Sequence, residues 1–224
     1  MRSPRIAPPR VKICCISSIY EAQLAVHLGA SAIGLVSHMP SGPGVIPDEL
    51  IAEIASTVPP TIATFLLTSK RDAEEIIKQH AICQTSTIQL VDSLEHSELR
   101  RLRHKLPYVK LVQVIHVMGE QSIEEAKQVA DLVDALLLDS GNATLKVKEL
   151  GGTGRVHDWE ISRRIRDQVD CPVYLAGGIR TSNVREAIQS VQPFGLDLCT
   201  SVRHDGKLSE EKLAEFMQEV NRAT

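Results

Sequence analysis

Aromatic side chains are scarce in this sequence, at 3% of the chain, and it contains no dense tract of lysine and arginine. The first shortage removes the stacking platforms of a single-strand nucleic-acid binder and leaves the core to Ile, Leu, Val and Ala. The second, with 25 basic against 28 acidic side chains and a net charge of -3, removes the electrostatic footprint that a phosphate backbone requires. Nucleic acid is therefore not an expected partner. No window approaches the roughly 20 apolar residues of a membrane helix, so no membrane association is expected. The opening Met1 to Arg10 is basic but has three prolines and no apolar centre. It reads as a loose tail rather than a signal peptide, which points to a cytoplasmic protein. The five cysteines, at 14, 15, 83, 171 and 199, are odd in number and include no C-x-x-C pair. Neither a disulfide framework nor a zinc ribbon is indicated, and a reducing compartment fits best.

What is present is an alternation. Short β-branched runs at 11–16, 32–36, 61–67, 86–90, 109–115, 134–138, 172–175 and 195–199 are separated by amphipathic stretches at 19–29, 47–57, 70–80, 94–104, 121–132, 158–168, 181–190 and 209–221. Each stretch is long enough for the crossover that a parallel strand pair needs. Helix starts are signalled by Ser122 before Glu124 and Glu125, by Ser209 before Glu210 and Glu211, and by Pro47-Asp48-Glu49. About eight βα units exceed what an open doubly wound sheet usually holds and predict a closed (β/α)8 TIM barrel. No Pro/Gly/Ser linker divides the chain, so residues 1–10 are expected to be a flexible tail and residues 11–224 one barrel domain. Exposed and interface helix faces look alike in one sequence, which leaves monomer or homodimer open.

The connections after barrel strands form the catalytic face of such a fold. Strand alternation places Lys12 and Cys14 on one face and Ile13 and Cys15 on the other. An inward thiol at the end of strand 1 would serve as a base or nucleophile if a cation such as Lys12 depressed its pKa. Both cysteines also read as small core hydrophobes. Asp139 ends the apolar run Ala135-Leu136-Leu137-Leu138 and delivers one carboxylate to the lip, where it suits a general acid, or a cap for the loop that follows. Gly177-Gly178 after strand 7 and Thr200-Ser201 after strand 8 stand where barrels most often bind phosphate. Gly151-Gly152-Thr153-Gly154-Arg155 is a glycine-rich loop without the Walker spacing, so nucleotide hydrolysis is not supported. Candidate substrate- or phosphate-binding residues are thus Lys12, Gly152, Gly154, Arg155, Gly177, Gly178, Thr200 and Ser201, with Cys14 and Asp139 catalytic and no metal ligands expected.

Taken together and in order, these residues resemble the phosphoribosylanthranilate isomerase family. Val11-Lys12-Ile13-Cys14, Gly29-Ala30-Ser31-Ala32-Ile33-Gly34 and Leu136-Leu137-Leu138-Asp139-Ser140 are similar to its strand-1, strand-2 and strand-6 motifs. Gly151-Gly152-Thr153-Gly154-Arg155 with Asp158-Trp159 is the most specific match, and Leu175-Ala176-Gly177-Gly178-Ile179 with Asn183-Val184 continues it. The resemblance covers residues 11–222. It implies an aldose–ketose isomerase that performs an Amadori rearrangement on a phosphosugar in tryptophan biosynthesis, without cofactor or metal. Asp139 would be the acid, Cys14 the base, and Gly177, Gly178, Thr200 and Ser201 the phosphate holders.

The sequence departs from that pattern at four places. Cys15 stands where the family usually has glycine, and Gly44 where it usually has an arginine able to pair with the substrate's carboxylate. Gln89-Leu90-Val91-Asp92 replaces Gln-Leu-His-Gly, and Thr200-Ser201-Val202-Arg203 replaces the ending Ser-Gly-Val-Glu. The alternative reading is a phosphate-binding or regulatory barrel of the same family without turnover. A metal-assisted pentose-phosphate epimerase is disfavoured, because the strand ends are mostly apolar.

Overall fold

Eight apolar runs pair side by side into a closed parallel barrel: β1 (Arg10–Ile13), β2 (Ala32–Val36), β3 (Ala63–Thr68), β4 (Thr87–Leu90), β5 (Lys110–His116), β6 (Ala135–Asp139), β7 (Val173–Leu175) and β8 (Gly195–Leu198). Closure is made by β1 against β8, with Arg10 opposite Gly195 and Ile13 opposite Leu198. The computed structural model describes residues 8–141 and 156–223. Between the strands run α1 (Ile19–His27), α2 (Asp48–Thr57), α3 (Ala73–Cys83), α4 (His96–Lys105), α5 (Gln121–Ala130), α6 (Trp159–Gln168), α7 (Val184–Val191) and α8 (Glu210–Arg222). None of the described helices is long and apolar enough to cross a membrane.

Several helix starts follow from side-chain capping, which satisfies amides that have no partner within the helix. The side chains of Ser18, Asp72, Asp158 and Ser209 accept from the amides of Glu21, Glu75, Glu160 and Lys212. Ser122 does not cap α5 as its position suggests. The helix begins at Gln121, and the Ser122 hydroxyl instead accepts from the Met118 amide at 3.1 Å.

The period of two along each strand sorts the core into two layers. Outward residues such as Ile33, Leu66, Ile88, Leu136 and Leu196 pack against the helices. Inward residues, among them Ala32, Phe65, Val112, Val114, Leu137 and Tyr174, fill the barrel. Two of the scarce aromatics lie in the interior, where Tyr174 meets Phe65 edge-on at 6.0 Å between ring centres. One expectation fails here. Cys15 does not follow Ile13 to the helix layer; it joins Cys14 in the barrel-interior cluster. Its φ is +62°, left-handed backbone that ends β1 at Ile13 and breaks the alternation.

Beyond β8 the chain makes a single 3-10 turn, Thr200–Val202, and then a two-stranded hairpin of β9 (Arg203–His204) and β10 (Lys207–Leu208) before α8. This hairpin has no counterpart in the expected element order.

Candidate active site

The C-terminal ends of the strands surround a cleft of about 280 Å³ lined by, among others, Cys14, Cys15, Gln89, Asp139, Gly177, Gly178, Arg180, Asp197, Cys199, Thr200 and Ser201. Six of the ten expected site residues line this one cleft: Cys14, Asp139, Gly177, Gly178, Thr200 and Ser201. Gly152, Gly154 and Arg155 lie outside the described residues.

Lys12, the tenth, does not line the cleft. It is fully buried beneath it, 2.9 Å from an Asp197 carboxylate oxygen and 5.1 Å from the Phe65 ring centre. Burial alone would favour the neutral amine, but Asp197, with Cys14 adding to it, outweighs that cost and holds the pKa above the ordinary lysine value. An ideal Cβ on Gly34 would lie 2.9 Å from the Cys14 sulfur and 3.0 Å from the Lys12 nitrogen. Gly34 thus leaves the room in which the thiol and the Lys12 ammonium sit side by side.

Asp139 closes β6 and is 8% exposed. Its Oδ1 accepts from the Ser140 amide at 2.7 Å. Across from it, Gly177 and Gly178 take φ of +75° and +65°, a turn that glycine adopts without strain. A Cβ on Gly177 would also stand 2.9 Å from Ser140 Oγ and 3.1 Å from both Asp139 Oδ1 and His157 Nδ1. The Asn183 side chain braces this turn from both ends, accepting from the Arg180 amide at 2.9 Å and donating to the Gly178 carbonyl at 3.0 Å.

Two buried polar atoms on the cleft wall have no partner among the described residues, Gln89 Oε1 and Ser201 Oγ. A buried group left unpaired costs about 1–3 kcal/mol, which a ligand that pairs it returns. His157 is of the same kind. Its Nε2 stands 2.7 Å from Ser162 Oγ, and among the described residues its buried Nδ1 has no hydrogen-bond partner. Burial pushes the imidazole down to about 4 against the pull of Asp139 and Asp158, keeping it neutral near neutral pH.

The β1 end is clamped from the hairpin. The Arg203 guanidinium donates to the Cys14 and Cys15 carbonyls at 3.1 and 2.5 Å and pairs with Glu21 at 3.0 Å. Glu21 also accepts from the Ser17 and Leu208 amides. Burial works against ionising Glu21, but these donors outweigh it and hold the carboxyl below its usual range.

Sequence reasoning missed Asp197, Gln89, His157 and the partnership of Arg203 with Glu21. Asp197 carries the same signal as Asp139, a lone carboxylate in the apolar strand Gly195-Leu196-Asp197-Leu198. The Arg203–Glu21 pair spans 182 positions, and no local pattern signals it.

This is a (β/α)8 barrel in which Asp139, Cys14 and the Gly177-Gly178 turn share one mouth. The profile of the N-(5'phosphoribosyl)anthranilate (PRA) isomerase family matches residues 11–219, and the chain belongs to that family. It is 35% identical over 203 residues to N-(5'-phosphoribosyl)anthranilate isomerase 2 of Methanosarcina mazei, covering 90% of this chain and 89% of the relative. It is 32% identical over 224 residues to the isomerase of Methanosarcina acetivorans, covering 94% and 92%. The crystal structure of the Thermotoga maritima isomerase superposes with a TM-score of 0.81 at 26% identity, over 96% of this chain and 99% of that one.

Proposed function

We propose that this chain, acting as one domain over residues 11–224 in the cytoplasm, converts N-(5'-phosphoribosyl)anthranilate to its 1-deoxyribulose 5-phosphate isomer, a step of tryptophan biosynthesis. The observation that carries the reading is the convergence of Cys14, Asp139 and the two phosphate-type turns on one cleft in a member of this family.

The reaction asks for one acid and one base. Asp139 gives its proton to the furanose ring oxygen, the bond from that oxygen to C1 breaks, and the nitrogen lone pair closes a C1=N iminium. Cys14, beside Lys12, takes the proton from C2. The electrons of that C–H bond become the C1=C2 bond and neutralise the nitrogen, giving an enolamine. Tautomerisation moves a proton from the C2 hydroxyl to C1 and leaves the ketone. Substrate and product are isomers, so no electrons or groups are exchanged, and proton exchange with solvent resets the two side chains.

Binding follows from the same wall. The Gly177-Gly178 turn and Thr200-Ser201 hold the phosphate, with Ser201 Oγ gaining its missing partner. Gly152, Gly154 and Arg155, in the connection between β6 and α6, contact the substrate in this reading.

Expression in a tryptophan auxotroph lacking the isomerase tests the proposal. Growth without tryptophan is expected from the wild type and not from the Cys14→Ser or Asp139→Asn variants. A soluble, folded wild-type protein that fails to restore growth would refute it.

A further inference from the structure

The proposed reaction uses one of the three cysteines on the cleft wall. The other two, Cys15 after β1 and Cys199 after β8, meet with their sulfurs 2.7 Å apart, at the seam where the barrel closes. We propose that Cys15 and Cys199 form a reversible disulfide on exposure to peroxide, and that this bridge switches the site off by tying the end of β1 to the phosphate turn.

Several observations support the site. The sulfurs need to approach by less than 1 Å to reach a bond of about 2.05 Å. The proton is polarised within the pair: contacts with Cys14 and Cys199, together with burial, hold Cys15 as the thiol, whereas its contact with Cys15 and the charge of Arg203 favour thiolate at Cys199 against the cost of burial. Both line the open cleft, so a small oxidant reaches them. The cysteines away from the site are unlike them. Burial, with Asp48 and Glu49 nearby, pushes Cys83 up to about 12, and burial raises Cys171 as well, so neither is poised as a nucleophile.

The chemistry balances. Cys199 thiolate attacks peroxide, and with one proton taken up gives the sulfenic acid and water. The Cys15 thiol then attacks that sulfur, forming the S–S bond and releasing a second water. Two thiols lose two electrons, and one peroxide becomes two waters. The bridge joins the residue after the base to the residue before Thr200, so the base and the phosphate turn lose independent movement.

The test exposes the full chain to a small excess of hydrogen peroxide, then counts free thiols and maps the bridge by mass spectrometry under non-reducing conditions. Wild type should lose two of its five thiols, yield a Cys15–Cys199 linked peptide, lose at least tenfold in turnover, and recover with dithiothreitol. Cys199→Ser and Cys15→Gly should form no bridge and keep their turnover under the same exposure. Retention of all five thiols, a bridge that includes Cys14, or loss of turnover in Cys199→Ser as fast as in wild type would each overturn the proposal. The activity readout rests on the isomerase reading, but the thiol count and the mapped peptide do not. Absence of turnover before oxidation therefore faults the reaction and leaves the bridge decided by mapping.

Discussion

Adding one methyl group at Gly44 probes how the β1 end and the connection after β2 share space. Gly44 sits at φ +80°, and an ideal Cβ there would lie 2.5 Å from the Cys15 Cβ and 3.0 Å from its Cα. Gly44→Ala thus incurs a left-handed backbone cost of about 1–2 kcal/mol and an overpacking cost of about 1–3 kcal/mol against a neighbour that is itself buried. The expected loss is about 2–5 kcal/mol, which for a chain of this size lowers Tm by roughly 5–15 °C. In a Cys15→Gly background the clash with Cys15 Cβ is gone and chiefly the backbone cost remains. A double-mutant cycle read by urea denaturation should therefore show a coupling of about 1–3 kcal/mol. By the same geometry a side chain at position 44 cannot enter while Cys15 holds its place. Equal destabilisation by Gly44→Ala in both backgrounds would refute this account.

The other predictions concern the chemistry. Cys14→Ser should lower kcat by at least the roughly 10² typical of losing a general base, and Cys15→Gly should not; equal losses would remove Cys14 from that role. Asp139→Asn should abolish ring opening while ribose 5-phosphate still raises Tm, because the amide keeps the shape without the proton, and substantial residual turnover would contradict the assignment. Phosphate sugars should stabilise the wild type saturably, by about 2.7 kcal/mol at a hundred times Kd, and Gly178→Asp should remove the shift; a shift of equal size in that variant would displace the phosphate site. His157 is neutral in the fold with its pKa lowered to about 4, whereas the unfolded chain takes up the proton near about 6.5. Stability should thus fall as pH drops through that window, by about 2 kcal/mol from pH 7 to pH 5 for this group alone. Denaturation of His157→Gln should show a correspondingly flatter pH dependence, and an unchanged slope would show that His157 does not titrate this way.

The barrel was legible because eight short apolar runs and eight amphipathic stretches repeat two incompatible periods in strict alternation, and only a parallel sheet with crossovers satisfies both. Asp139, Gly177-Gly178 and Thr200-Ser201 were legible for a related reason: each stands at the end of a run whose direction fixes it at one mouth. The position of Cys15 was not, because a left-handed φ at a non-glycine residue leaves no local trace beyond the absence of the glycine. Lys12 was placed on the inward face, but its partner lies on β8, 185 positions away, and pairing across the closing seam is a property of the barrel rather than of either strand. The same holds for Arg203, whose grip on the Cys14 and Cys15 carbonyls depends on a hairpin that the strand pattern does not announce.

The central claim is that Cys14 and Asp139 carry out proton transfer on a phosphoribosylated arylamine. The most direct measurement supplies purified wild-type protein with N-(5'-phosphoribosyl)anthranilate bearing deuterium at C2 of the sugar and follows product and label by mass spectrometry. Conversion to the ketose with loss of deuterium to solvent, abolished in Cys14→Ser and in Asp139→Asn, is the predicted result. Native, phosphate-binding protein that leaves the substrate unchanged, or a Cys14→Ser variant that releases the label as fast as the wild type, would contradict it.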